Sequence, residues 1–196
     1  SIANLKKDQG NISEAEKLQN ESLEIRRELG DKQGIAENLN SIANLKKDQG
    51  NISEAEKLYN KSLNIRRELG DKKGIAYTLN SLGLLQLNDG DLLNANKTFN
   101  QALKLFKALS DQKNSCSTLN FLGRTNFELD NISNAKKHFE RALSIANQIS
   151  YTEAYWGAMH SLSILLYEYN KDELISLKID KPTGGSKRIN SLYQNI

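Results

Sequence analysis

SIANLKKDQGNISEAEKLQNESLEIRRELGDKQGIAENLN, residues 1–40, is followed by SIANLKKDQGNISEAEKLYNKSLNIRRELGDKKGIAYTLN, residues 41–80. Six positions differ: Gln19/Tyr59, Glu21/Lys61, Glu24/Asn64, Gln33/Lys73, Glu37/Tyr77 and Asn38/Thr78. Weaker copies occupy 81–120 and 121–160, and a partial fifth unit starts at 161. Self-similarity at a fixed period of this length marks a stacked array. Each unit buries its apolar face only against its neighbours. The 196 residues therefore read as one elongated array over 1–169, followed by a cap and flexible tail at 170–196.

Each unit reads as two helices. Helix A runs from about Lys73 to about Leu87, and helix B from about Ile52 to Leu69. Apolar or small residues at Ile52, Ala55, Leu58, Tyr59, Ser62, Leu63, Ile65 and Leu69 are spaced by threes and fours, as one helical stripe. Gly50 stands where a left-handed residue ends helix A, and Asn51 with Glu54 has capping-box spacing. Asn11/Glu14 repeats that pair. Gly70 ends helix B and Asp71 caps the next helix A. Gly30–Asp31 repeats the pattern, which drifts to Ser110–Asp111 and Ser150. Small residues align as Ala43, Gly83 and Gly123 in helix A, and as Ala55, Ala95 and Ala135 in helix B. They mark close approach of two helices.

Leu82–Gly83, Gly90, Leu92, Ala95, Phe99, Ala102 and Leu103 follow the tetratricopeptide pattern L-G, G, Y, A, F, A-L. Leu122–Gly123, Ile132, Ala135, Phe139, Ala142 and Leu143 repeat it. The chain resembles the tetratricopeptide repeat family over about 1–168. Its 40-residue period is similar to Pins-type adaptors, kinesin light chains and many bacterial members. The resemblance implies an all-α, right-handed superhelical solenoid of antiparallel helix hairpins that binds protein partners. Lys6, Lys46, Gln86 and Asn126 depart from the usual helix A aromatic, Asp130 from the turn glycine, and Gln19 from the aromatic at Tyr59, Phe99 and Phe139.

The resemblance also places helix A on the concave surface. Corresponding residues then form columns: Asn40, Asn80, Asn120 and His160; Asn44, Leu84, Arg124 and Ile164; Lys47, Leu87, Phe127 and Tyr167; Glu37, Tyr77, Ser117 and Gly157. Asparagine amides both donate and accept, so the first column suits a peptide backbone. The alternative is that these residues make local contacts or face solvent. The other columns grow more apolar and aromatic toward the C-terminus, beside an Arg124 suited to a carboxylate. The candidate partner-binding residues are Tyr77, Asn80, Leu84, Leu87, Asn120, Arg124, Phe127, His160 and Tyr167.

Chemistry-bearing patterns are missing from the sequence. His138 and His160 lie 22 residues apart without a ligand set around them. Cys116, the single cysteine, excludes an intrachain disulfide, suits a reducing compartment, and reads as a small helix residue. Gly184–Gly185 with Lys187 lacks phosphate-loop spacing. Arg26–Arg27 and Arg66–Arg67 read as a solvated, charge-balanced outer face. The net charge of +3 argues against nucleic acid and an anionic membrane, and no apolar run reaches transmembrane length.

The reading is a cytoplasmic, non-enzymatic scaffold or adaptor with no metal or cofactor, holding a partner peptide or helix in its groove. Two alternatives are a regulatory or sensor segment of a larger protein, and an array that self-associates through its ends. Ser1 opens partway through a unit, which predicts an upstream segment. TEAYWGAMHSLSILLYEY (152–169) reads as helix A of the fifth unit. A short helix at Asp172–Leu177, a linker at Lys181–Lys187 and a tail that covers Trp156 or the groove are expected after it.

Overall fold

A computed structural model describes residues 12–169. The expected cap helix, linker and tail, and Asn11 of the first capping box, lie outside the described residues. The described chain forms eight helices and no strand: α1 (Ile12–Glu28), α2 (Lys32–Asp48), α3 (Ile52–Glu68), α4 (Lys72–Asn88), α5 (Leu92–Ala108), α6 (Gln112–Glu128), α7 (Ile132–Gln148) and α8 (Thr152–Tyr169). Even-numbered helices are the A helices and odd-numbered ones the B helices. The result is a right-handed superhelical solenoid of antiparallel hairpins.

Turn chemistry sets the helix length. Gly30, Gly50, Gly70 and Gly90 all have positive φ, between 66° and 83°. At each helix end the following amide closes a 6→1 bond, as from Asn51 N to Lys46 O at 2.8 Å. Ser110, Asp130 and Ser150 keep the left-handed backbone at φ 55°, 57° and 54°. Loss of the glycine thus leaves the turn unchanged. Asp71 caps α4 by accepting from Gly74 N at 2.8 Å, and Asp31, Asp91 and Asp111 act alike. The capping bond expected of Asn51 is not formed. Its Nδ2 donates instead to Gln49 Oε1 at 3.3 Å.

The core is a ribbon between successive helices. Ala55, Ala95 and Ala135 are fully buried. One turn further along the same helices stand Tyr59, Phe99 and Phe139, and the last two fill the space left by Gly83 and Gly123. In the first unit Gln19 takes the aromatic position, and its Oε1 accepts from Asn38 Nδ2 at 2.9 Å. Two of the six differences are therefore coupled, because Tyr59 comes with Thr78 and Gln19 with Asn38.

Arg66 corrects the sequence reading. Only 8% exposed, it does not face solvent. Its Nη1 donates to Asp71 Oδ2 at 2.6 Å and its Nε to Ser62 Oγ at 3.2 Å. Ser62 in turn donates to Ala36 O at 2.7 Å. The guanidinium lies where a Cβ on Gly74 would stand, so the glycine makes room for it. Consecutive helix residues point about 100° apart, so only Arg67 of the pair faces outward.

Candidate functional site

Successive A helices touch one another (α2 with α4, α4 with α6, α6 with α8), whereas no two B helices among the described residues bring their backbones as close. The array therefore curves with its A helices inside. A cavity of about 590 Å³ opens between α6 and α8, lined by Asn120, Phe121, Arg124, Phe127, Glu128, Phe139, Gly157, His160, Ser161 and Ile164.

Four candidate residues meet in this cavity: Asn120, Arg124, Phe127 and His160. Arg124 and His160 are exposed, and Phe127 leans on the cluster around Ala135 and Phe139. Gly157 leaves space beside Asn120, whose Nδ2 would be 3.6 Å from an added Cβ. The Asn120 carbonyl oxygen Oδ1 is buried and lacks a hydrogen-bond partner among the described residues.

Asn40 Oδ1 is orphaned as well, although Thr78 stands at the matching donor position, whereas the next interval pairs its asparagine. Between α4 and α6, Thr118 Oγ1 lies 3.0 Å from Asn80 Oδ1 and 2.7 Å from Asn114 O, so its proton can serve either. One unit later Ala158 stands in place of Thr118 and offers no hydroxyl. A buried carbonyl without a donor is costly, and a ligand N–H or O–H would satisfy it.

The other candidates lie elsewhere. Tyr77 is 41% exposed and bridges to the next hairpin: Asn114 Nδ2 donates to its hydroxyl at 2.9 Å, and its ring meets Phe106 edge-on at 5.4 Å. Leu84 is partly buried against the core. Leu87 does not line the groove. At 3% exposed it packs with Ala95 and Phe99, because the C-terminal end of α4 turns this position inward. Tyr167 is 59% exposed, outside the cavity. Asn44 is occupied: its Nδ2 donates to Asn40 O at 3.0 Å and its Oδ1 accepts from Tyr59 at 2.8 Å.

Sequence reasoning missed Phe121, Phe139, Glu128 and Ser161. Phe121 had a signal, since serine occupies its position at 1, 41, 81 and 161. It stacks on Phe99 at 5.4 Å. Phe139 reaches the groove because Gly123 has no Cβ to screen it.

No cluster of three or more His, Cys, Asp or Glu side chains among the described residues could hold a metal. Burial pushes the Cys116 thiol up to about 11, which leaves it protonated and inert. No described helix is long and apolar enough to cross a membrane.

The tetratricopeptide repeat family model matches residues 1–68 and 70–148. The chain belongs to the tetratricopeptide repeat family. Arrays of this family generally mediate protein–protein interaction as non-enzymatic scaffolds, through extended concave surfaces. No curated protein matches the sequence.

Solved structures share the fold. BtubC (BKLC) from P. vanneervenii is 20% identical with a TM-score of 0.70, over 94% of this chain and 82% of that one. The nearly identical TPR-like repeats of a kinesin light chain candidate from Podosopora anserina are 13% identical with a TM-score of 0.75, over 100% and 94%. A Signal Transduction ATPase with Numerous Domains from Pyrococcus horikoshii, with a tetratricopeptide repeat sensor, is 21% identical with a TM-score of 0.74, over 86% of this chain and 26% of that one.

Proposed function

We propose that this chain is an adaptor that seats an extended peptide or helix of a partner protein in its concave groove, chiefly between α6 and α8. The observation that carries this reading is the cavity of about 590 Å³ with the unpartnered Asn120 Oδ1 in its wall. Phe121, Phe127 and Ile164 offer apolar surface for a partner side chain. Arg124, which forms no ion pair with a described residue, offers a guanidinium for a carboxylate. Near identity makes units one and two spacer and scaffold, and the diverged units carry recognition.

The test is selection of peptides from a random phage-displayed library on the purified chain, then measurement of their affinity by titration calorimetry. Asn120→Ala with Arg124→Ala is expected to weaken the selected peptides at least tenfold, about 1.4 kcal/mol. Unchanged affinity would sink the groove reading.

A second reading rests on the likeness to a protein with a tetratricopeptide repeat sensor, of which this chain spans about a quarter. There the array would gate an attached effector. Partner binding that changes the activity of a linked domain in the full-length gene product would favour it.

A further inference from the structure

The B helices change sign along the array, position by position. In α1, Lys17 pairs with Glu21 at 3.9 Å and Arg27 pairs with Glu24. These are the i,i+4 and i,i+3 spacings at which opposite charges support a helix. In α3, Asn64 still accepts from Arg67 at 3.2 Å, but Lys61 stands in place of Glu21. In α5, Lys104 stands in place of Glu24, three residues before Lys107. In α7, Arg141 stands in place of Glu21, four residues after Lys137. Both attractive pairs of α1 have become like-charge pairs, which destabilise a helix.

Nothing within the described residues compensates. Lys97, Lys104, Lys107, Lys137 and Arg141 are all exposed, and none forms an ion pair with another described residue. α5 contains no acid and α7 only Glu140. The two helices also feel each other. Burial and then the Arg141 charge lower the Lys107 pKa. Half-buried His138 is held below its usual value by burial first, then by Lys137, Lys107 and Arg141. A local rule broken without internal compensation is what a binding surface shows.

We propose that the outer face of α5 and α7 is a second docking surface, one that takes an acidic polypeptide segment. Exposed Lys57 and Lys61 begin the trend on α3, but that helix also exposes Glu54, Glu56 and Glu68, so cations without neighbouring acids are concentrated on α5 and α7. The same outer side exposes Glu21, Glu24 and Glu28 on α1, so a long polyanion or a planar anionic surface would meet repulsion there. A short run of aspartate and glutamate fits the acid-poor patch on α5 and α7.

The probe is a fluorescein-labelled decapeptide of glutamate, followed by anisotropy at about 20 mM salt, where screening is weak. Saturable binding that weakens as salt rises is expected. Lys104→Glu with Arg141→Glu, which restores the α1 pairings, should reduce affinity at least tenfold with no fall in melting temperature. Reversal of two other exposed lysines, Lys72→Glu with Lys73→Glu, should change it less than twofold. Asn120→Ala with Arg124→Ala should leave it intact, which separates this surface from the groove.

Three results would overturn the proposal. One is undetectable decapeptide binding, or binding unchanged by Lys104→Glu with Arg141→Glu. Another is an equal loss on reversal of Lys72 and Lys73. The third is tighter binding of a ten-nucleotide oligothymidine, or of phosphatidylserine-containing vesicles, than of the decapeptide.

Discussion

Gly123 joins the packing of the array to the shape of its groove, and a single methyl group tests both. A Cβ at Gly123 would collide with Cε1 of Phe139 and stand 2.5 Å from Cδ1 and 2.8 Å from Cζ. Ordinary carbon contacts begin near 3.5 Å, so the ring must retreat by about 1 Å or more. Phe139 is 1% exposed and packed among Ala135, Leu162, Leu165 and Leu166, which leaves it little room. Overpacking of this kind costs about 1–3 kcal/mol, and the upper part of that range applies. Alanine in place of glycine within a helix returns about 0.8–1.0 kcal/mol. Gly123→Ala is therefore expected to destabilise by about 1–2 kcal/mol, or about 2–8 °C in melting temperature for a chain of this size.

Gly83 supplies the comparison. Its added Cβ would lie 2.8 Å from Cδ1 and Cε1 of Phe99, a milder conflict that the helix gain roughly cancels. Gly83→Ala should move the melt by no more than about 2 °C. The assay is far-UV circular dichroism on heating, with urea titration as a second scale. If Gly123→Ala melts at or above the parent, or if Gly83→Ala loses as much, the packing argument is refuted.

Other outcomes follow from the same structure. Ala95→Phe inserts a ring at a fully buried position and should lower the melting temperature clearly. An unchanged melt would show that the helices do not approach there. Burial holds the folded His138 pKa below the ordinary imidazole value of 6.5, so its contribution to stability is present above pH 6.5 and lost as pH falls through the folded pKa. Between pH 7 and 5 the parent should therefore lose more stability than His138→Gln, as read by urea midpoints at each pH. Cys116 is buried and its thiol raised to about 11, so iodoacetamide labelling at pH 8 should be slow and should accelerate only in urea, followed by mass spectrometry.

Much of the fold was legible because a repeat writes its constraints several times. Helix boundaries followed from Gly30, Gly50, Gly70 and Gly90 and from the Asp caps. The left-handed backbone at Ser110, Asp130 and Ser150 shows the turn outlasting its glycine. Arg66 was misread because a charged side chain next to a second arginine looks solvated. Its partners Ser62, Asp71 and Gly74 come from two helices and the turn between them. Leu87 was misplaced because column position alone does not say how far a helix end is turned into its neighbour.

By itself the sequence determined the period, the hairpin, the Asp caps and the class, because each depends on short-range spacing copied from unit to unit. Only the tertiary structure decided which members of the expected columns meet. Asn120, Arg124, Phe127 and His160 share one cavity, while Tyr77 bridges to the next hairpin and Leu87 joins the core. The reason is distance along the chain. Asn80 Oδ1 takes its donor from Thr118 in the next A helix, and the room for the Phe139 ring depends on residue 123. Those relations exist only once neighbouring hairpins are stacked.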